Sequence, residues 1–236
     1  PYYLLSNHRF ANAYRARFAR NAARTPEDWR KAFASRAVDV SFMFERRPEP
    51  HHNLRWPAGG IIGLCAWRTE LAEATASTPL TSERLGQSWQ GGATRFELAN
   101  WHLDKLIRLD GHARMIAAFE NTHQPGYLSE KFFDAFACGA LPLYFAAPDH
   151  AVHRLGLPPQ SWANFHDLSP QAALAALCDM TWESARFEAY AAAQSRLNAL
   201  FNETAHLVTA RQRLRDALLS ALRATLDNAH PGVSCR

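Results

Sequence analysis

The sequence predicts an α/β fold built from parallel βαβ units, and three observations carry that prediction. Met115–Phe119 (MIAAF) is a short apolar run without a helical stripe, as in a strand buried on both faces. Ser129 can cap a helix that opens on Glu130 and Lys131 and continues with Phe132, Phe133 and Phe136 as apolar positions. Gly139 stands where a left-handed residue ends a helix, and Leu141–Phe145 (LPLYF) is again a short apolar run. Strand, loop, helix and strand make one βαβ unit. In such sheets ligands collect beyond the carboxyl ends of the strands, where the next helix N-terminus favours anions.

The chain before this unit supplies further elements. Pro1–Ser6 (PYYLLS) is an apolar run and predicts a strand at the first residue, as in a truncated chain. Residues 7–24 predict a helix, because Phe10, Tyr14 and Phe18 recur at i, i+4 and i+8 among arginines. Pro26, Glu27 and Asp28 can open a second helix with Trp29 and Phe33 behind them. Ala37–Phe44 alternates as a strand, and a polar loop follows to Pro57. Gly59 and Gly60 precede Ile61–Trp67, a buried strand leading into a helix from Arg68. Gly91–Gly92 marks a turn, and Leu103, Leu106 and Leu109 form the apolar stripe of a further helix.

After Leu141–Phe145 the pattern becomes helical. Ser169 and Pro170 are a cap and first-turn pair for a helix to Met180. Thr181–Leu226 is mostly helical, with Leu197, Leu200, Phe201, Leu214, Leu218 and Leu222 as its apolar positions.

Composition narrows the function. The 236 residues suffice for one large or two small domains with a sizeable core. A net charge of +4 suits an anionic ligand or an anionic membrane face. No basic tract or aromatic-basic motif accompanies it, so nucleic acid is not an expected partner. Four cysteines share no CxxC spacing and read as free thiols in a reducing compartment. No run reaches the roughly 20 apolar residues of a membrane-spanning helix, and no secretory signal is present. His51–His52 and His150/His153 lack partners that would complete a metal site, so no metal is expected.

Candidate site residues converge on the central unit. Glu120 and Asn121 follow its first strand, Tyr127 stands in the loop, and Glu130 and Lys131 open the helix. A phosphate there would meet free N–H groups and an exposed Lys131 ammonium, and a carboxylate such as Glu130 can accept both hydroxyls of a ribose. The same residues also fit a solvated first-turn acid and a surface cation. Arg68 and Arg84 each carry a planar guanidinium fork, which can bind two oxygens of an anion at once, and a solvated helix-start cation is the plain alternative for Arg68.

FEN at 119–121, a loop with Tyr127, SEK at 129–131 and G-x-L-P at 139–142 together resemble the C-terminal signature of glycosyltransferase family 10, the α-1,3/4-fucosyltransferases. The resemblance extends to Ser161–Asp167 and is strongest over residues 105–170. Ala146 departs from it where the family has glycine, and Cys65–Ala66 replaces an SN pair. Leu54-Arg55-Trp56-Pro57 looks like the family's interdomain connection.

The resemblance implies a GT-B fold: two Rossmann-like halves and a helical C-terminal end. It divides the chain into an acceptor-side half over 1–57, truncated at its start, a nucleotide-sugar-binding domain over 58–180, and helices over 181–236. It implies inverting transfer of fucose from GDP-fucose to a hydroxyl of an oligosaccharide or lipopolysaccharide-type acceptor, with no tightly bound cofactor. It assigns Lys131 and Arg68 to the diphosphate, with Arg84 as the alternative to Arg68, Glu130 to the ribose, and Asn121 and Tyr127 to the donor-site lining. Glu120 either acts on the donor sugar or holds the loop. The family's general base falls by chain order near Glu27, with Asp28 as its rival, although the G-E-N sequence around it is absent. A bacterial-type cytoplasmic enzyme, with attachment to the inner membrane permitted, is the matching localisation. The same architecture with another nucleotide sugar, or a non-catalytic nucleotide-sugar or glycan-binding protein, are the other readings.

Overall fold

A computed structural model of the chain describes residues 4–5, 7–89 and 97–229. In chain order these form α1 (His8–Ala22), α2 (Pro26–Ala34), β1 (Val38–Met43), β2 (Arg55–Trp56), β3 (Ile61–Gly63), α3 (Cys65–Ala74) and β4 (Ser82–Leu85). There follow α4 (Trp101–Leu109), β5 (Ala113–Ala117), β6 (Thr122–His123), α5 (Glu130–Ala137), β7 (Leu141–Tyr144) and β8 (Ala163–Asn164). Three helices close the chain: α6 (Pro170–Cys178), α7 (Ser184–Asn202) and α8 (Thr204–Ala229).

Five strands make one parallel sheet in the order β4-β1-β5-β7-β8. Taken as the sheet's own first to fifth strands, the order is 2-1-3-4-5. The chain moves outward from β1 to β4, then returns to β5 on the other side. That reversal makes the carboxyl ends of β1 and β5 the topological switch point, where ligands of doubly wound sheets bind. Among the described residues there is one Rossmann-like sheet, where two halves were expected. Val38–Met43, expected in the acceptor-side half, is a central strand of it, pairing Val40 with both Ser82 and Met115.

Helices cover both faces. On one, Tyr14 and Phe18 of α1 and Phe133 of α5 each meet Phe201 of α7 at ring-centroid distances of 5.1–5.6 Å. On the other, Trp67 of α3 packs on Phe119 and Phe145 and donates from its indole to Leu168 O. Phe132, Phe133 and Phe136 are fully buried, each contributing about 1.5–3 kcal/mol by leaving water. Gly139 ends α5 at φ +74°, the left-handed conformation expected of it.

A small antiparallel sheet, β2-β3-β6, stands beyond the carboxyl edge of the large one. It corrects the strand expected over Ile61–Trp67. Only Ile61–Gly63 is extended; Leu64 N donates to Asn121 O, and α3 begins at Cys65. Three more expectations change. Leu4 and Leu5 are buried in helical conformation, not in a strand. In α4 the buried positions are His102, Lys105, Leu106 and Leu109, while Leu103 is exposed. In α8 Leu214, Leu218 and Leu222 point to solvent without packing partners in the core. The turn at Gly91–Gly92 falls outside the described residues.

Candidate functional site

The loop from β5 to α5 crosses the carboxyl edge of the sheet, and its residues are tied together there. Glu120 follows the strand and is buried to 2% exposure. Its Oε1 accepts from Ser129 N at 2.9 Å and its Oε2 from Ser129 Oγ at 2.8 Å and Lys131 Nζ at 3.0 Å. Tyr144 Oη adds a longer bond of 3.4 Å. A carboxylate this buried must be neutralised and fully bonded, and the start of α5 supplies both. These bonds tie the end of β5 to the start of α5.

Lys131 is half-buried rather than exposed as expected. Its ammonium uses all three donors, reaching Glu120, Ser129 Oγ at 3.1 Å and Glu130 Oε1 at 3.4 Å. Burial alone would lower its pKa, but Glu120 and Glu130 more than offset this and raise it. Burial likewise works to raise the Glu130 carboxyl, yet Lys131 holds it below its ordinary value. Both are therefore ionised at neutral pH. The N-terminus of α5, with Ser129 as its cap, thus presents one ammonium and one carboxylate at the carboxyl edge of the sheet, above the buried Glu120. Tyr127 is 37% exposed beside them, and Asn121 is exposed.

Arg68 comes from the opposite side. Because α3 starts three residues earlier than expected, Arg68 lies in its interior and reaches inward with 2% exposure. Nη1 donates to Phe119 O at 3.1 Å, the guanidinium covers the Phe44 ring at 4.5 Å, and Nε has no hydrogen-bond partner. It spans the ends of β1 and β5, at the switch point. Burial lowers its pKa, opposed by Cys65 and Glu120. A buried cation held by one carbonyl and a ring face retains capacity for an anion.

The structure does not bring Glu27 and Asp28 to this cluster. Glu27 pairs with Arg30 at 2.7 Å on the surface of α2, and Asp28 forms a capping box with Thr25. Trp29, next in sequence, packs on Gly139, and Arg36 bonds Ala113 O and Gly139 O. Those are the amino ends of β5 and β7, the opposite edge of the sheet. Arg84, the alternative arginine, ends β4 near Trp89.

Sequence reasoning missed a second layer beneath the site. Asp134, one turn below Glu130, is fully buried and accepts from Tyr14 Oη at 2.6 Å, His102 Nε2 at 2.7 Å and Lys105 Nζ at 2.8 Å. Burial favours its neutral form, yet Lys105 and His102 outweigh that and hold the carboxyl at about 2. The polar residues at positions 102 and 105 were the available signal, one turn apart on α4. Among the described residues no group of three or more His, Cys, Asp or Glu is placed to hold a metal ion.

Compared with known proteins, residues 90–216 match the family model of the glycosyltransferase family 10 (fucosyltransferase) C-terminal region, more than half of the chain. No curated protein matches the chain.

Proposed function

As the chain belongs to glycosyltransferase family 10, the fucosyltransferases, we propose that it moves fucose from GDP-fucose to a hydroxyl of an acceptor glycan, with inversion at the anomeric carbon. The observation that carries this reading is the Glu120–Ser129–Lys131 cluster at the switch point, inside the family's own segment. In the reaction the bond from the anomeric carbon to the β-phosphate oxygen breaks as GDP leaves. Lys131, Arg68 and the N-terminus of α5 meet the negative charge that accumulates on the diphosphate. Glu130 accepts from the ribose hydroxyls, and Tyr127 and Asn121 line the sugar end. Glu120 keeps Ser129 and Lys131 in place and does not itself touch the sugar. We assign no base to Glu27 or Asp28.

We place the donor-binding unit over residues 58–180 with β1 added, and the helices of 181–236 against it. No helix of the described residues is long and apolar enough to cross a membrane. The exposed leucines of α8, with Arg211, Arg213, Arg215 and Arg223 beside Asp216 and Asp227, favour peripheral attachment to an anionic bilayer. Co-sedimentation with phosphatidylglycerol vesicles, absent with phosphatidylcholine ones, is the expected result.

The test of the donor is a thermal-shift panel with GDP, UDP, dTDP and CDP and their common sugar conjugates. A ligand at 100 times its dissociation constant adds about 2.7 kcal/mol. Selective stabilisation by GDP and GDP-fucose is expected, followed by fucose transfer to a screened acceptor. Selective stabilisation by another nucleotide would leave the fold and remove fucose from the reading.

A further inference from the structure

At the carboxyl end of β4, one strand beyond the switch point, lies a cavity of about 480 Å³ lined by Arg46, Ser82, Arg84, Ser88 and Trp89. Its wall is a fixed loop. Trp89 Nε1 donates to Phe44 O at 2.8 Å, and Arg46 N donates to Gln87 O at 3.0 Å. Gly86 holds φ +119°, and a Cβ there would stand 2.7 Å from Phe44 O. Ser88 is a non-glycine residue in the left-handed region at φ +66°. The indole is therefore clamped against the end of β1.

Two guanidinium groups each lie 5.9 Å from the Trp89 ring centroid, and they are not equivalent. Arg46 is held by Glu73, with Nη2 at 2.6 Å and Nε at 2.7 Å from the same oxygen. Arg84 has no carboxylate partner among the described residues; its contact is the face of Trp89. The cavity thus offers an aromatic surface, one arginine fork without a carboxylate partner, the Ser88 hydroxyl, and the hydroxyl of Ser82, whose oxygen accepts from Thr75 Oγ1 at 3.1 Å. An indole face stacks on any nucleobase. An arginine fork bonds O6 and N7 of guanine together, whereas adenine presents a donor in place of O6.

We propose that this cavity is the base subsite of the donor nucleotide, and that Arg84 selects guanine. The inference rests on the donor reading above and adds the group that reads the base. Adjacent strands are about 4.8 Å apart, so the ends of β5 and β4 stand two such steps apart. A ribose diphosphate bridges that stretch, with its phosphates at Arg68 and Lys131 and its base against Trp89.

The experiment is isothermal titration of the wild-type chain and Arg84→Gln with GDP, IDP, ADP and UDP. Wild type should bind GDP and IDP alike, since both carry O6 and N7, and ADP and UDP more weakly. Arg84→Gln should lose about ten- to hundred-fold in GDP and IDP affinity and gain in ADP, because a glutamine amide matches N6 and N7 of adenine. Arg84→Lys keeps a donor-only cation that can still reach O6 and N7, so it should bind GDP more weakly than wild type and keep the preference over ADP that Arg84→Gln loses. Arg84 is half-buried at a sheet edge, so neither variant should shift the thermal midpoint. GDP binding with unchanged selectivity in Arg84→Gln would overturn the base subsite and leave the donor reading in place. Equal weakening of all four nucleotides would do the same, because Arg84 would then meet phosphate. No nucleotide binding by the wild type would remove the donor reading, and the subsite with it.

Discussion

Lys131 Nζ donates to Glu120 Oε2 at 3.0 Å, joining two residues eleven positions apart over the carboxyl edge of the sheet. The pair joins the end of β5 to the start of α5, so the position of the helix N-terminus depends on it.

Lys131→Ala should therefore lower stability as well as nucleotide affinity. Glu120 would keep Ser129 and Tyr144 but lose its cation while remaining buried. A loss of about 1–3 kcal/mol is expected in urea denaturation, together with roughly ten-fold or more in GDP affinity by titration. Unchanged stability would show that the hydroxyl and amide bonds satisfy Glu120 without the ammonium.

Asp134→Asn should be more damaging. It removes the one anion between Lys105 and His102 in a fully buried position, and breaking such a group by one partner costs about 3–5 kcal/mol. The pH dependence follows in sign. The folded carboxyl is held at about 2, below the roughly 3.9 of an unfolded aspartate. Its contribution is complete above about pH 5 and is lost as pH falls through 2, amounting to roughly 2–3 kcal/mol. Stability curves of wild type and Asp134→Asn measured from pH 5 to pH 2 should converge towards acid. Parallel curves would remove the charge from the account.

Much of this was legible in the sequence because it is local. The caps at Ser129 and Ser169, the left-handed Gly139 and the apolar runs of β5 and β7 each depend on neighbours within a few residues. What was not legible depends on distant partners. The apolar stripe of α4 says nothing of His102 and Lys105, because their partner Asp134 lies 32 and 29 residues away in the chain. Leu103 completed a plausible helical stripe, but the buried polar pair rotates that face outward. Arg68 at an expected helix start implied a solvated side chain, whereas an earlier start turns it inward against Phe44 and Phe119. The central place of β1 could not follow from its alternation alone, since strand order is set by how helices cover the two faces.

Gly139→Ala tests the junction of α5 and β7. At φ +74° an alanine is strained, and its Cβ would stand 3.1 Å from the Trp29 ring. Trp29 is fully buried and cannot withdraw freely. A loss of about 1–3 kcal/mol is expected by thermal or urea unfolding, without change in GDP affinity, because the substitution lies on the amino edge of the sheet. A matched loss of nucleotide affinity would mean that the two edges are coupled through α5.

Glu27→Gln decides whether α2 takes part in the reaction. A general base serves best with a pKa near the working pH, and hydrogen bonding to Arg30 holds Glu27 below the ordinary carboxylate value instead. Its carboxylate is half exposed and paired with both Arg30 and Lys31. Two residues further on, Trp29 anchors the helix to the amino end of β7, while Lys131 and Arg68 act at the carboxyl ends of β5 and β1. Glu27→Gln should accordingly leave fucose transfer, GDP affinity and the thermal midpoint unchanged. A fall in kcat with KM and GDP affinity intact would instead make Glu27 the base. It would then require the acceptor to approach from the amino edge, away from the donor cluster.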